Sequence, residues 1–453
     1  GAYEALGYLL PNESNLAMVV EAEKKAVDGG RAALSLVSHA VYCVTEGEPP
    51  VSRAAMHFIA TATAHAWVCA HLRRLLSAAQ MCAFPTHGMS GRTLAFIAKI
   101  IDNCLRTAAW QEEFEAVDVL GFLMRFARAE YPILRQNVAG CVMRLTTVDG
   151  YRAKLLETSE GGAYRHVPAL VQMFKAEVIP KGSRTVAFRA GFVVEAVLSA
   201  FINCMTLCPE QRRALCDALR PEGVFEDAVA LAVSYTGERG AVEGAALPVV
   251  CRSLNLLAKC VAFREVLELV WGSEALMRSL PALANGFGLV VAEPGAPEGD
   301  AAQYQEGIVE NCTIILGSST KEVGGEDITK LLLPEWSLLT GLLTHPSNNI
   351  CGNVALTLAN LAEQPGAATT MGRSKVKVVD LLLDAIKARR NESFQAADRT
   401  SFVHPKNTSA NNQTCQMNCA IALAKLAKDE ANRDRLRELQ GMEILHTVLQ
   451  SRR

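Results

Sequence analysis

The chain has 453 residues, half of them hydrophobic but only 6% aromatic, and 45 basic residues against 47 acidic ones leave a net charge of −2. That length exceeds one ordinary core, the shortage of Tyr, Phe and Trp disfavours sheets, and the charge balance removes any global electrostatic case for nucleic acid. Fourteen cysteines without a CxxC pair read as small buried hydrophobes in a reducing compartment, not as a disulfide framework.

Residues 1–89 read as helical, as a cap or as degenerate repeats. Within them Ala54 to Leu72 contains no Asp, Glu, Lys or Arg. His57, His65, His71 and two threonines interrupt the run, so one buried core helix is expected there and not a membrane span. His65 and Cys69 stand one helical turn apart, but His71 falls on another side and no fourth donor is near, so no metal is assigned.

From residue 90 to 453 a ten-residue template recurs. Its seven copies are 96–105 FIAKIIDNCL, 137–146 NVAGCVMRLT, 196–205 AVLSAFINCM, 252–261 RSLNLLAKCV, 311–320 NCTIILGSST, 353–362 NVALTLANLA and 418–427 NCAIALAKLA. Four copies are trailed by x-R-x-x-L, at Arg152, Arg212, Arg264 and Arg433, and then by Gly161, Gly223, Gly272 and Gly441. Glycine there suits a corner with positive φ. A unit is thus a short helix, a corner, a second helix and the long template helix. Template starts lie 41 to 65 residues apart, and the shortest spacings match the ~40–47-residue period of armadillo and HEAT units. Inserted loops are expected near 292–303 and 391–413, both rich in polar or turn residues. The 137–196 interval shows no such insert, which leaves room for an extra helix.

Template positions 3, 6 and 9 or 10 are apolar and mark the buried face. Positions 1, 4 and 8 share a second stripe. Around it lie Asn103, Asn137, Arg144, Asn203, Arg252, Asn255, Lys259, Asn311, Asn353, Asn360, Asn418 and Lys425. Asn donates and accepts together, so a ladder of asparagines can pair with the backbone of an extended chain. The interspersed cations favour acidic segments of such a partner. The other role open to these amides is to tie neighbouring helices together.

NVALTLANLA and NCAIALAKLA, with the trailing x-R-x-x-L and glycine, resemble the third-helix signature and next-unit start of armadillo repeats across residues 90–450. The resemblance implies an all-α, right-handed α-solenoid whose third helices line a concave groove for extended peptides. Importin-type members carry Trp at position 4; here that position is Lys99, Gly140, Ser199, Asn255, Ile314, Leu356 and Ile421. The closing LRELQGMEILHTVL is similar to the armadillo end of proteins that join tetratricopeptide and armadillo domains, such as dynein-arm assembly factors and UNC-class myosin chaperones. These likenesses imply a cytoplasmic, non-catalytic scaffold or adaptor in chaperone-assisted assembly of motor or cytoskeletal complexes. The alternatives are a regulator of Hsp70-type chaperones and an RNA-binding α-solenoid.

Catalytic motifs are missing from the pattern. Gly88-Met-Ser90-Gly91 lacks the G-x-S-x-G of a nucleophile elbow, and Gly317 to Lys321 and Lys181 to Arg184 lack phosphate-loop spacing. Acid pairs such as Glu112-Glu113 and basic pairs such as Arg73-Arg74 read as solvated faces. No catalytic residue, cofactor, small-molecule substrate or membrane contact is assigned.

Overall fold

Every template segment ends the third helix of a triplet. The computed structural model describes the chain apart from residues 1, 32–34, 85, 159–163, 182–184, 207, 238–240, 293–299, 322–325, 396–406 and 451–453. The chain divides into two units, one of residues 1–179 with 188–222, the other of residues 180–187 with 223–453. The expected boundary at 89/90 lies inside the first.

In the first unit α1 (Ala2–Leu9), α2 (Glu13–Asp28), α3 (Leu36–Glu46), α4 (Pro49–Ala62), α5 (Ala66–Leu72) and α6 (Ala78–Cys82) precede the template helix α7 (Gly91–Cys104). The triplet α8 (Ala108–Glu115), α9 (Val119–Met124) and α10 (Pro132–Leu145) follows. Next come α11 (Asp149–Leu155), α12 (Val167–Glu177), α13 (Gly191–Cys204) and α14 (Pro209–Leu219); of the strands β1 (Val178–Pro180) and β2 (Val186–Phe188), residues 180, 186 and 187 count with the second unit. The second unit opens with α15 (Val224–Ser234), α16 (Leu247–Cys260), α17 (Arg264–Gly272), α18 (Glu274–Ala292) and α19 (Asp300–Lys321). It continues with α20 (Glu326–Leu332), α21 (Trp336–Thr340), α22 (Asn348–Leu361), α23 (Ala367–Arg373), α24 (Val378–Gln395), α25 (Ser409–Leu426), α26 (Glu430–Glu438) and α27 (Gly441–Gln450).

Local chemistry sets the helix starts. Ser90 and Thr408 accept backbone N–H groups of Thr93 and Asn411 at the entries to α7 and α25, meeting donors that the first turn leaves unpaired. Proline occupies the first turn of α10, α12, α14 and α16, where its missing N–H costs nothing. Of the four corner glycines, Gly223 adopts the expected left-handed geometry, with φ of 66°. Gly161 lies outside the described residues. At the last corner the left-handed residue is Gln440, φ 54°, one place before Gly441.

Packing follows the template. Position 6 is Ile101, Val142, Phe201, Leu257, Leu316, Leu358 and Leu423, and all seven are buried. Each such side chain contributes about 1.5–3 kcal/mol by leaving water. Successive template helices stack on one another as α4, α7, α10 and α13 in the first unit and as α16, α19, α22 and α25 in the second. Position 3 is alanine in four copies, Ala98, Ala139 and Ala355 buried and Ala420 half-buried, which lets neighbouring helices approach closely.

Two expectations need correction. Ala54 to Leu72 is two helices, not one: α4 stops at Ala62 and α5 starts at Ala66. Thr63 turns its hydroxyl back onto the Ile59 and Ala60 carbonyls, and His65 Nδ1 accepts the Trp67 N–H to start α5. Among the described residues no helix is long and apolar enough to cross a membrane. The 137–196 interval holds no additional described helix; a Thr158–Tyr164 bridge and the β1–β2 ribbon take up its length. Of the loop expected near 391–413, residues 396–406 lie outside the described residues; on either side α24 runs to Gln395 and α25 starts at Ser409. Of the one expected near 292–303, residues 293–299 lie outside the described residues, between α18, which reaches Ala292, and α19, which starts at Asp300.

Candidate functional site

The asparagines of the second stripe divide into two kinds. At position 8, Asn103 is 1% exposed and donates from Nδ2 to the Ala60 carbonyl (3.0 Å) and to Thr63 Oγ1 (3.1 Å). Asn203 repeats this on the next pair of helices, giving its Nδ2 to Thr146 Oγ1 (3.1 Å) and the Met143 carbonyl (3.5 Å). Asn360 does the same with Thr320 Oγ1 at 3.2 Å. Each threonine hydroxyl spends its own proton on carbonyls three and four residues back in its helix. Its lone pairs are then free to accept the amide, so one clamp recurs three times.

The clamp has a sequence signal that template matching alone overlooks. Threonine stands at template position 10 in 137–146 and 311–320, and each is followed one unit later by Asn at position 8. Asn103 has the same partner in Thr63, which makes residues 54–63 of α4 stand to α7 as one template stands to the next. Where position 10 is Leu105, Met205, Val261 or Ala362, the next position 8 is Arg144, Lys259, Ser318 or Lys425.

Position 1 holds a second tie. Asn137 Nδ2 donates to the Ala95 carbonyl and Asn418 Nδ2 to the Gly352 carbonyl, at 2.9 and 3.0 Å. Ala95 and Gly352 each sit one residue before the preceding template, so the two bonds are equivalent. Both asparagines remain half-buried. Asn311 is buried, since α19 presents Glu310, Ile314 and Ser318 on its open side instead.

The cations are also partly engaged. Arg144 Nε bonds Asp102 Oδ1 at 2.9 Å, and Lys99 reaches the other oxygen at 3.1 Å. Lys425 Nζ lies 3.2 Å from both Asn360 Oδ1 and Glu363 Oε1, extending the Thr320–Asn360 clamp to α25. The Arg252 guanidinium lies over the Tyr304 ring, 5.4 Å from its centroid. On this stripe of the second unit Arg252, Asn255 and Lys259 on α16, Ile314 and Ser318 on α19, Asn353 and Leu356 on α22, and Asn418, Ile421 and Lys425 on α25 stay half-exposed. These are positions 1, 4 and 8, an amide and cation face with an apolar middle.

The two histidines and the cysteine near the end of α4 and in α5 serve separate ends. His65 caps α5, Cys69 Sγ donates to the Thr63 carbonyl at 3.0 Å, and His71 stacks on Trp67 with ring centroids 5.2 Å apart. A hollow of about 590 Å³ beside α15 and α17 is lined by Glu226, Asp227, Glu268 and Glu274. Two of those carboxylates are held in helical pairs, by Arg264 and Arg278.

No family model and no curated protein sequence matches the chain. Its architecture has solved counterparts. A structure from work on the phosphorylation-controlled interaction between cadherin and beta-catenin aligns with a TM-score of 0.67 at 14% identity, over 95% of this chain and 74% of that one. An engineered protein aligns at 0.55 and 13% identity, over 99% of this chain and 94% of its own. Beta-catenin is an armadillo-repeat protein. The fold is an armadillo-like all-α solenoid.

Proposed function

We propose that the chain is a non-catalytic protein-binding scaffold that takes an extended, acid-bearing segment along positions 1, 4 and 8 of its template helices. The observation that carries this is the contrast on one helix between faces. Positions 3 and 6 of α16 and α22 are buried, while Arg252, Asn255, Lys259, Asn353 and Leu356 stay half-exposed. Half-exposed amides supply donors and acceptors for a partner's backbone, Leu356 and Ile421 supply apolar contact, and Arg252 and Lys259 supply positive charge. Burial removes Asn311 and Asn360 from the contact set of the second unit, and Asn360, like Asn103 in the first, acts through helix stacking. Residues 54–63 extend the same array, so the first 89 residues contribute a degenerate repeat.

The interaction of the beta-catenin neighbour with cadherin supports binding of a protein partner. The resemblance of residues 436–449 to tetratricopeptide–armadillo assembly factors suggests the setting: cytoplasmic, chaperone-assisted assembly of motor or cytoskeletal complexes. The test is quantitative capture from cell extract by the chain and by an Asn353→Ala/Lys259→Glu variant. Captured partners are then measured singly by calorimetry at two salt concentrations. Weaker binding by the variant at unchanged melting temperature, with affinity falling as salt rises, is expected. Equal affinity of both proteins for every captured partner refutes the reading.

A further inference from the structure

Cys415 and Cys419 stand one turn apart on α25 and, by spacing alone, are packing residues. In the fold they face α22, where Cys351 completes a triad. The three Sγ atoms lie within 4.8 Å of one another, all three residues are buried, and among the described residues the group ends at three donors. α22 and α25 come close here because Gly352 has no side chain; a Cβ at that position would sit 3.1 Å from the Cys415 Cα.

We propose that Cys351, Cys415 and Cys419 form a site for a soft monovalent d10 metal ion of the copper(I) class. Metal–sulfur bonds of ~2.3 Å in a trigonal plane place sulfurs about 4 Å apart, so the triad needs less than about 1 Å of closure per pair. Three thiols without carboxylate or imidazole select a soft ion, and three-fold coordination disfavours zinc, whose structural sites are four-coordinate.

Charge balance points the same way. Arg389 is 3% exposed, donates to the His345 carbonyl at 2.8 Å, and its positive charge acts on Cys415. Binding is written Cu⁺ + 3 RSH → [Cu(SR)₂(HSR)]⁻ + 2 H⁺: two S–H bonds break, three Cu–S bonds form, and no electron is transferred. The product carries a single negative charge, and the positive charge of Arg389 that acts on Cys415 offsets the burial of that charge.

The experiment uses the full reduced chain, under anaerobic conditions, with Cys208→Ser to remove the exposed thiol. Copper(I) is titrated against a chromophoric chelator. One equivalent retained per chain is expected, with X-ray absorption showing three sulfur neighbours. Cys351→Ser should bind roughly 100-fold more weakly, since loss of even an outer-sphere partner costs 10–100-fold. Cys312→Ser, another buried thiol, should bind as the parent does. Circular dichroism establishes that each variant is folded, and X-ray absorption on the Cys208→Ser chain itself needs no further variant. No retained equivalent, a nitrogen- or two-sulfur shell, preference for zinc over copper, or unchanged affinity in folded Cys351→Ser overturns the proposal.

Discussion

Replacing Asn103 by alanine isolates the clamp. The substitution removes two hydrogen bonds, of 3.0 and 3.1 Å, and leaves the Ala60 carbonyl and the Thr63 hydroxyl without their cross-helix donor. Both Asn103 and Thr63 are 1% exposed, so water does not replace the amide. At about 1 kcal/mol net per bond, plus desolvation of the stranded groups and a small void, the cost is about 2–3 kcal/mol. A unit of this size loses roughly 5–10 °C of melting temperature for that penalty. Urea unfolding of the parent, Asn103→Ala, Thr63→Val and the double variant gives a cycle with an expected coupling of about 1 kcal/mol. Asn353→Ala, on the half-exposed stripe, serves as the control at under about 0.5 kcal/mol. If Asn103→Ala costs no more than the control, or the cycle shows no coupling, the distinction between stacking and contact asparagines is wrong. Asn360 is unsuited to a binding test, because it is clamped to Thr320 and bonded by Lys425.

Gly352→Ala forces α22 and α25 apart against Cys415 and weakens the Asn418 tie, so a loss of about 1–3 kcal/mol is expected in the same unfolding assay. Gln440→Gly relieves a left-handed residue at the last corner and should raise stability by about 0.5–1 kcal/mol, whereas Gly223→Ala should lower it by at least as much. The Asp380 carboxyl is held below its ordinary value, first by its hydrogen bond from Arg435. A depressed folded value means the stabilisation is present above the unfolded carboxyl value and lost as pH falls through the folded one. The advantage of the parent over Asp380→Asn, measured by thermal unfolding across pH, should therefore shrink below about pH 4. A difference that stays constant into acid would refute the pairing.

Much of the fold is written in local patterns. Position 6 is apolar in every template copy because one face of each third helix must leave water, and all seven residues are buried in the structure. The corner at Gly223 follows from the freedom of glycine at positive φ, and the start of α7 from the capping oxygen of Ser90. Even the clamp is legible, since Thr at position 10 predicts Asn at position 8 one unit on.

Periodicity assigns a residue to a side of its own helix but not to a neighbour. Asn103 and Asn353 are both template asparagines. One is spent on α4 and the other stays half-exposed, because only stacking decides whether a carbonyl or a threonine waits opposite. Arg144 likewise meets Asp102 across a helix pair, which turns a free cation of the sequence into a structural one. The meeting of Cys351 with Cys415 and Cys419 depends on Gly352 letting two distant helices touch. Such contacts arise from the relative placement of whole helices, a quantity set by the summed packing of many side chains and carried by no single segment.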